Sequence, residues 1–322
     1  MRGNAVGNMT DPDHKASWLI ADIGATNSRC ALISPPSYKR TSVRHYRNED
    51  ADSLQDILAT YLAETGTQAG ACAIAVAAPI QGDEIQMCNR DWQFSRKEIS
   101  DRIGVARTEI INDFHAIAYA LPYFDDSQRV EIGNATRYRT GNIAALGPGS
   151  GLGMSAWIGD APGGAAMSGE GGHVTLAGRT ESEDVIIARL RDRFGHCSAE
   201  RVLSGPGLIA LHGAMHDVEV ATSEEITTNA HDPLCRATLS QFFRFLGSAA
   251  ADLALVTGAF GGVYIAGGIV PSCIDRIQES EFRERFDDKN RYHDYMRAIP
   301  TWVITDPMPG LTGLSVFVRQ GF

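Results

Sequence analysis

Five clusters in this 322-residue chain carry groups able to do chemistry. The first is Ala21-Asp22-Ile23-Gly24-Ala25-Thr26-Asn27, a carboxylate closing an apolar run, then a Gly/Thr/Asn turn. A carboxylate does not bind phosphate directly, but it holds Mg²⁺ or a water on it. A glycine turn lets backbone N–H groups approach an anion closely. The second is Gly147-Pro-Gly149-Ser150-Gly151-Leu-Gly153, a denser turn of the same kind. Either turn alone reads more readily as a structural hairpin; together with Asp22 they point toward a nucleotide. The third is Asn112-Asp113, where an apolar run gives way to a helical pattern. Both residues cap helices, and an aspartate at the C-terminal edge of a strand is also where a general base sits. The fourth is Gly169-Glu170-Gly171-Gly172-His173. Glu-x-x-His on a helix is a metal half-site, but three glycines in five residues forbid a helix. Recognition of a hydroxyl-rich ligand suits it better. The fifth is Glu200, within Cys197-Ser-Ala-Glu-Arg-Val-Leu-Ser-Gly-Pro-Gly207, read either as a further ligand for hydroxyls or as a solvated carboxylate in a first helical turn.

Other phosphate-handling motifs are absent. Four lysines occur, at 15, 39, 97 and 289, and none follows a glycine, so no P-loop exists. The kinase catalytic-loop triplet His-Arg-Asp is missing too. Gly151-Leu-Gly153-Met-Ser-Ala156 matches the dinucleotide fingerprint, but that fingerprint must open a helix. Here Trp157, Ile158 and a turn at Gly159 predict a strand.

The elements that position these clusters follow from local pattern. Trp18–Ile33 and Asn142–Ile158 both read apolar run, glycine turn, apolar run, which predicts two β-hairpins. They form a weak internal repeat about 125 residues apart and suggest two related lobes. Strands are expected at 71–77, 108–111, 262–266 and 302–305. Helices are expected at 52–64, at 95–102 behind a Ser95/Glu98 capping box, and at 112–121. Further helices run from Thr180 as far as Gly195 and from Asp232-Pro233 as far as Gly258, and the last spans 309–319. Strands alternating with helices make the fold α/β.

Composition narrows the function. The chain has 29 basic and 39 acidic residues, a net charge of −10. That argues against nucleic-acid and anionic-membrane partners. Six cysteines lie no closer than 16 residues apart, so no Cys-x-x-Cys pair exists, and reduced cytoplasmic thiols are expected. Residues 1–17 lack a signal-peptide core and read as a disordered extension. The apolar stretch 249–270 carries Asp252 and several glycines; a buried helix and strand explain it better than a membrane span.

Several long blocks resemble bacterial glucokinases, of the hexokinase/actin-like ATPase superfamily. They are 21–29, 79–92 with Asn89, Ile110-Ile-Asn-Asp-Phe114, 147–153, 169–173, 196–207 and Val263-Tyr-Ile-Ala-Gly-Gly-Ile-Val-Pro271. The resemblance implies a two-lobed, ribonuclease H-like α/β fold with its active site in the interlobe cleft. The expected division is 18–122 plus 308–322, and 123–307. It implies phosphorylation of glucose at its 6-hydroxyl by ATP with Mg²⁺. Asp113 matches the catalytic base. Asn89, Asn112, Asp113, Glu170, His173 and Glu200 match sugar-contacting positions. Residues 21–27 and Gly149, Ser150 and Gly151 match phosphate segments, and Gly267-Gly268 the adenosine segment. Asp22 would meet the metal through water. A homodimer is implied by resemblance only.

Three departures stand out. Ala25 replaces a frequent glycine, so a negative φ is expected there. Ser150 replaces a frequent threonine. Residues 306–313 match only in Pro309-Gly310-Leu311. No helix-turn-helix segment precedes Trp18, and no zinc-type cysteine cluster occurs, which sets aside the related repressors and zinc-bearing sugar kinases. Two rivals stay open: a kinase of another hexose or amino sugar, and a non-catalytic sensor on the same scaffold.

Overall fold

The computed structural model describes residues 17–87, 90–135, 140–218, 220–229 and 231–321. Asn89 and the stretch 1–16 lie outside them. The chain divides into two α/β units, Met1–Ala120 with Met308–Phe322, and Leu121–Pro307.

Unit 1 is built on strands β1 (Trp18–Ile23), β2 (Asn27–Ile33), β3 (Thr41–Arg47) and β4 (Ala71–Val76). A small hairpin, β5 (Glu84–Gln86) and β6 (Gln93–Ser95), precedes β7 (Arg107–Asn112). The main sheet runs β3-β2-β1-β4-β7. β1–β2–β3 is an antiparallel meander, and β1, β4 and β7 are parallel. Central strands must bury both faces, so β4 reads as an unbroken apolar run, Ala-Cys-Ala-Ile-Ala-Val. On one face Leu19, Ala21 and Ile74 pack against Leu54, Leu58 and Ile99 of helices α1 (Leu54–Thr65) and α2 (Arg96–Ile103). On the other, Trp18, Ile20 and Ala73 pack against α3 (Asp113–Ala120) and the C-terminal helix (Pro309–Gln320). The predicted capping box is formed: Ser95 Oγ accepts from Glu98 N, and the Glu98 carboxylate accepts from Ser95 N.

Unit 2 repeats the plan. β8 (Arg129–Glu131) is followed by β9 (Ile143–Pro148), β10 (Leu152–Ile158) and β11 (Ala165–Gly169), then β12 (Gly262–Ile265) and β13 (Thr301–Ile304). The order is β11-β10-β9-β12-β13-β8. Apart from β8 on the edge, this is the unit 1 arrangement: a three-strand meander, then two parallel strands. The repeat seen as two glycine hairpins is therefore a duplication of whole-sheet topology. Helices α4 (Glu181–Phe194), α5 (Gly205–His216), α6 (Ser223–Thr228) and α7 (Pro233–Thr257) build its main core. Thr180 and Asp232 cap α4 and α7 as expected, and Gly195 and Gly258 succeed their last turns. The apolar stretch beginning at 249 is the end of α7, buried on one side and exposed at Asp252 and Val256, and then the buried strand β12; among the described residues no helix is long and apolar enough to cross a membrane.

Some local expectations needed adjustment. Ser17, grouped by composition with the extension, is tied in: its hydroxyl meets Ser34 Oγ at 2.8 Å and its carbonyl accepts from Gly70 N at 2.9 Å. Helix α3 starts at Asp113, with Asn112 still the last residue of β7.

Candidate active site

In unit 1 the chemistry gathers at the C-terminal edge of the parallel strands, where open α/β sheets bind ligands. Asp22 stands next to last in β1, level with Ala75 of β4, while Asn112 ends β7 level with Val76. Two strand spacings separate β1 from β7, about 10 Å.

The Asp22 side chain is only 16% exposed. Its nearest cation, Arg29 across the hairpin, is 3.8 Å away. Among the described residues no protein group donates a hydrogen bond to it. Burial raises its pKa above the usual carboxylate value, and Arg29 offsets this in part. Gly310, in the first turn of the C-terminal helix, lies so close that a Cβ there would sit 2.7 Å from Asp22 Cγ. This explains the Pro309-Gly310-Leu311 core: only glycine lets that helix close on the carboxylate.

The turn after β1 is tight. Gly24 N donates to Asn27 O at 3.0 Å. Ala25 is not among the residues with positive φ, as expected for a residue with a Cβ. Sequence reasoning did not single out Asn48, which comes directly after β3. It is fully buried against this turn and bonded to Gly24 and Thr26 within it and to Ser28 just beyond, in β2.

Of the two residues, Asn112 fills the capping role that the sequence allowed to either. Asn112 Oδ1 accepts from Phe114 N at 2.9 Å and His115 N at 3.2 Å, while its Nδ2 donates to Ala78 O at 3.2 Å. Asn112 is thus the cap of α3 and keeps one amide hydrogen for anything else. Asp113 is half-buried, and its Oδ1 accepts from Phe114 N at 2.9 Å.

In unit 2 the remaining candidates converge. The turn between β9 and β10 is closed by Gly149 N to Gly151 O at 2.8 Å, and Gly149 O accepts from Gly205 N at 2.8 Å. Ser150 is exposed. Gly151 leads directly into strand β10, so the fingerprint-like glycines form a hairpin and no dinucleotide helix. Beside this turn, Ile269 N donates to Pro148 O at 3.3 Å, which brings Gly267-Gly268 against the end of β9. Gly267 has φ +81°, and a Cβ there would collide with Pro148 O.

Glu170, just past β11, and His173 are both exposed. The glycines between them are packing requirements: a Cβ on Gly172 would strike Leu152 O, and one on Gly171 would sit 2.7 Å from Met154 Sδ. The chain then runs beside 196–200, with Leu176 N to Cys197 O at 3.0 Å and Ala199 N to Val174 O at 2.9 Å. That pairing delivers Glu200 to the cluster. Its Oε2 accepts from Leu152 N at 2.8 Å, and a Cβ on Gly151 would lie 2.6 Å from the same oxygen. Glu200 is therefore not a solvated carboxylate; it is fastened to the second glycine turn. Its Oε1 has no protein partner among the described residues.

No group of three or more His, Cys, Asp or Glu able to hold a metal occurs among the described residues. A divalent ion would need ligands from a bound nucleotide, with Asp22 as the protein's carboxylate. That fits Mg²⁺, which usually keeps its waters and takes one or two carboxylates plus substrate phosphates. The five described cysteines are free and buried.

Two meander-plus-parallel sheets, each presenting a glycine turn at its carboxyl edge, define the two-lobed α/β class of actin-like ATPases and sugar kinases. A family model described as Glucokinase matches residues 19–321. The glucokinase of Aromatoleum aromaticum is 42% identical over 307 residues, covering 92% of this chain and 93% of that protein. The crystal structure of a glucokinase from an Antarctic psychrotroph superposes with a TM-score of 0.84 at 35% identity, covering 95% of this chain and 99% of that one. A glucokinase from Balamuthia mandrillaris, solved in complex with glucose, shares the fold with a TM-score of 0.79 at 18% identity, over 95% of this chain and 94% of that one. The chain belongs to the glucokinase family.

Proposed function

We propose that the chain transfers the γ-phosphoryl group of ATP to the 6-hydroxyl of glucose. The observation that carries this reading is the bond from Leu152 N to Glu200 Oε2. It joins a cluster of hydroxyl-binding side chains to a glycine turn able to hold phosphate. A sugar kinase requires that adjacency, and neither a plain nucleotide binder nor a plain sugar binder does.

Asp113 accepts the hydroxyl proton as the sugar oxygen bonds to the γ-phosphorus and the bond to the bridging oxygen of ADP breaks. Its place at the start of α3 holds the carboxylate on a rigid element. Glu170, His173 and Glu200 bind sugar hydroxyls, Glu200 through Oε1. Asn112 adds its one remaining amide hydrogen, and Asn89 belongs to the same set by resemblance. Phosphate oxygens are taken by those backbone N–H groups of 22–27 and 149–151 that the turns do not use themselves, Gly24 N and Gly149 N being spent on Asn27 O and Gly151 O, and preorganised donors of this kind are a large term in phosphoryl transfer. Gly267-Gly268, against the second turn, receives the adenosine. Asp22 would hold Mg²⁺ through water; the ion, when bound with the nucleotide, neutralises charge developing on the phosphates. A homodimer and a cytoplasmic location complete the reading. Family resemblance supports the first, and the free buried thiols support the second.

A coupled assay with ATP and a panel of hexoses and amino sugars tests this. Glucose should give the highest kcat/KM. Asp113→Asn should lower kcat by about 10²–10⁴-fold with little change in glucose KM. Near-normal turnover in that variant would remove Asp113 from the base position, and no ADP from any sugar would leave a sensor role.

A further inference from the structure

The first phosphate turn does not hold its own shape. Among the described residues its one internal backbone bond is Gly24 N to Asn27 O. The rest comes from Asn48, 24 residues further on, in the short turn Asn48–Asp50 after β3. Asn48 Nδ2 donates to Gly24 O at 2.8 Å, and its Oδ1 accepts from Ser28 Oγ at 2.6 Å. Its backbone N donates to Thr26 O at 2.9 Å. Its backbone O accepts from Arg90 Nη2 at 2.9 Å, and the Arg90 guanidinium lies 4.5 Å over the Trp92 ring. Donor and acceptor are thus both used on side chain and backbone, in a residue and a partner, Ser28, that are each fully buried.

Two of these bonds end on the turn, at Gly24 and Thr26, and a third on Ser28 at the start of β2. Each binds a carbonyl or hydroxyl and uses none of the turn's N–H donors, of which Gly24 N is already bonded to Asn27 O. Asparagine suits the place because one short side chain must give a hydrogen to a carbonyl and take one from a hydroxyl. Aspartate would set a second oxygen against Gly24 O, and alanine would strand both partners in a buried site.

We infer that Asn48 is the positioning residue of the phosphate turn, fixing where its N–H groups meet the nucleotide without touching it. This rests on the reading of 22–27 as an ATP-binding turn. Preorganisation makes the consequence selective. A turn that must be ordered by the ligand binds nucleotide more weakly, and displacements near 1 Å weigh heavily in catalysis. Among the described residues, every hydrogen bond of Asn48 is made within unit 1.

The test compares wild type, Asn48→Asp and Ser28→Ala, the last removing a single bond if the first folds poorly. Nucleotide affinity is read as KM for ATP and by calorimetry with a non-hydrolysable ATP analogue; glucose affinity is read by calorimetry without nucleotide. Asn48→Asp should weaken nucleotide binding about 10- to 100-fold. Ser28→Ala should do so by several-fold, and both should leave glucose affinity within about twofold of wild type. Unchanged nucleotide affinity in the folded variants would overturn the inference. A parallel loss of nucleotide and glucose affinity would also overturn it, because it would mark a purely structural residue. Failure of the wild type to phosphorylate any sugar would instead strike the kinase reading, and the calorimetric arm would still decide the role of Asn48.

Discussion

Glu200 should serve two ligands at once, and substitutions can separate the two. Its Oε2 accepts a 2.8 Å hydrogen bond from Leu152 N in the second glycine turn, while Oε1 has no protein partner among the described residues. A hydrogen bond to a charged group contributes about 1.5–3 kcal/mol, or roughly 10- to 150-fold in an equilibrium constant. Glu200→Ala should therefore raise KM for ATP by up to that factor, in addition to raising KM for glucose. Glu200→Gln keeps an acceptor for Leu152 N, so KM for ATP should stay within about threefold while glucose KM rises. Gly151→Ala supplies an independent arm. Its new Cβ would lie 2.6 Å from Oε2 and must push the carboxylate off the turn, although no atom of Glu200 is removed. It should reproduce the ATP defect of Glu200→Ala. A coupled spectrophotometric assay with ATP and glucose varied in turn reads both KM values for each variant. Equal KM values for ATP in Glu200→Ala and Glu200→Gln would refute the tether, and so would a normal value in both Glu200→Ala and Gly151→Ala.

Buried titratable groups lead to two further outcomes. Asp22 is a largely buried carboxylate with a raised pKa and one cation at 3.8 Å, so its charge opposes folding at neutral pH. Asp22→Asn should raise Tm by a few degrees in thermal melts without nucleotide while lowering kcat by about 10²-fold or more; a lower Tm would contradict the assigned burial cost. Burial holds His115 and His212 below the ordinary imidazole pKa, with His216 nearby adding to the effect on His212. The unfolded chain then binds protons that the folded one refuses, so stability is full above about pH 6.5 and falls as pH drops below it. Urea titrations at pH values of about 7.5 and 5.5, either side of the ordinary imidazole pKa, should show this loss, and His212→Gln should shrink it. An unchanged pH dependence in that variant would remove His212 from the account.

The parts of the fold legible in sequence were those decided within a few residues. Ser95 and Glu98 close a box three positions apart, and Asp232-Pro233 and Gly258 bracket a helix by local chemistry. The two hairpins were legible because turn and flanking strands are contiguous. Strand β3 was not, because at the sheet edge it has no buried residue to set a period. Helix α5 was hidden by Gly205, Gly207 and Gly213, which propensity counts against a helix; at Gly207 close packing requires the glycine. In the site, identities were readable and relations were not. Glu200 was visible as a carboxylate, but its bond to Leu152 spans 48 positions. Asn48 sits in an undistinguished Arg-Asn-Glu-Asp run and becomes legible only when its bonds to Gly24, Thr26, Ser28 and Arg90 are traced. Gly310 looked like part of a helix start, and its contact with Asp22 crosses nearly the whole chain.

That contact bears on how the protein is made. Unit 2 is one continuous stretch, but unit 1 is split, and its final helix is translated after all of unit 2. Until Leu311, Leu314 and Phe317 arrive, one face of the unit 1 sheet has α3 but lacks the rest of its cover, and Asp22 lacks the helix turn that closes over it. On the ribosome, unit 2 can complete its core while unit 1 waits, since domains fold largely as units in order of synthesis. Nascent chains stopped before Met308 would carry both glycine turns yet lack a closed Asp22 site. The Asp22 site is thereby completed only in the finished chain.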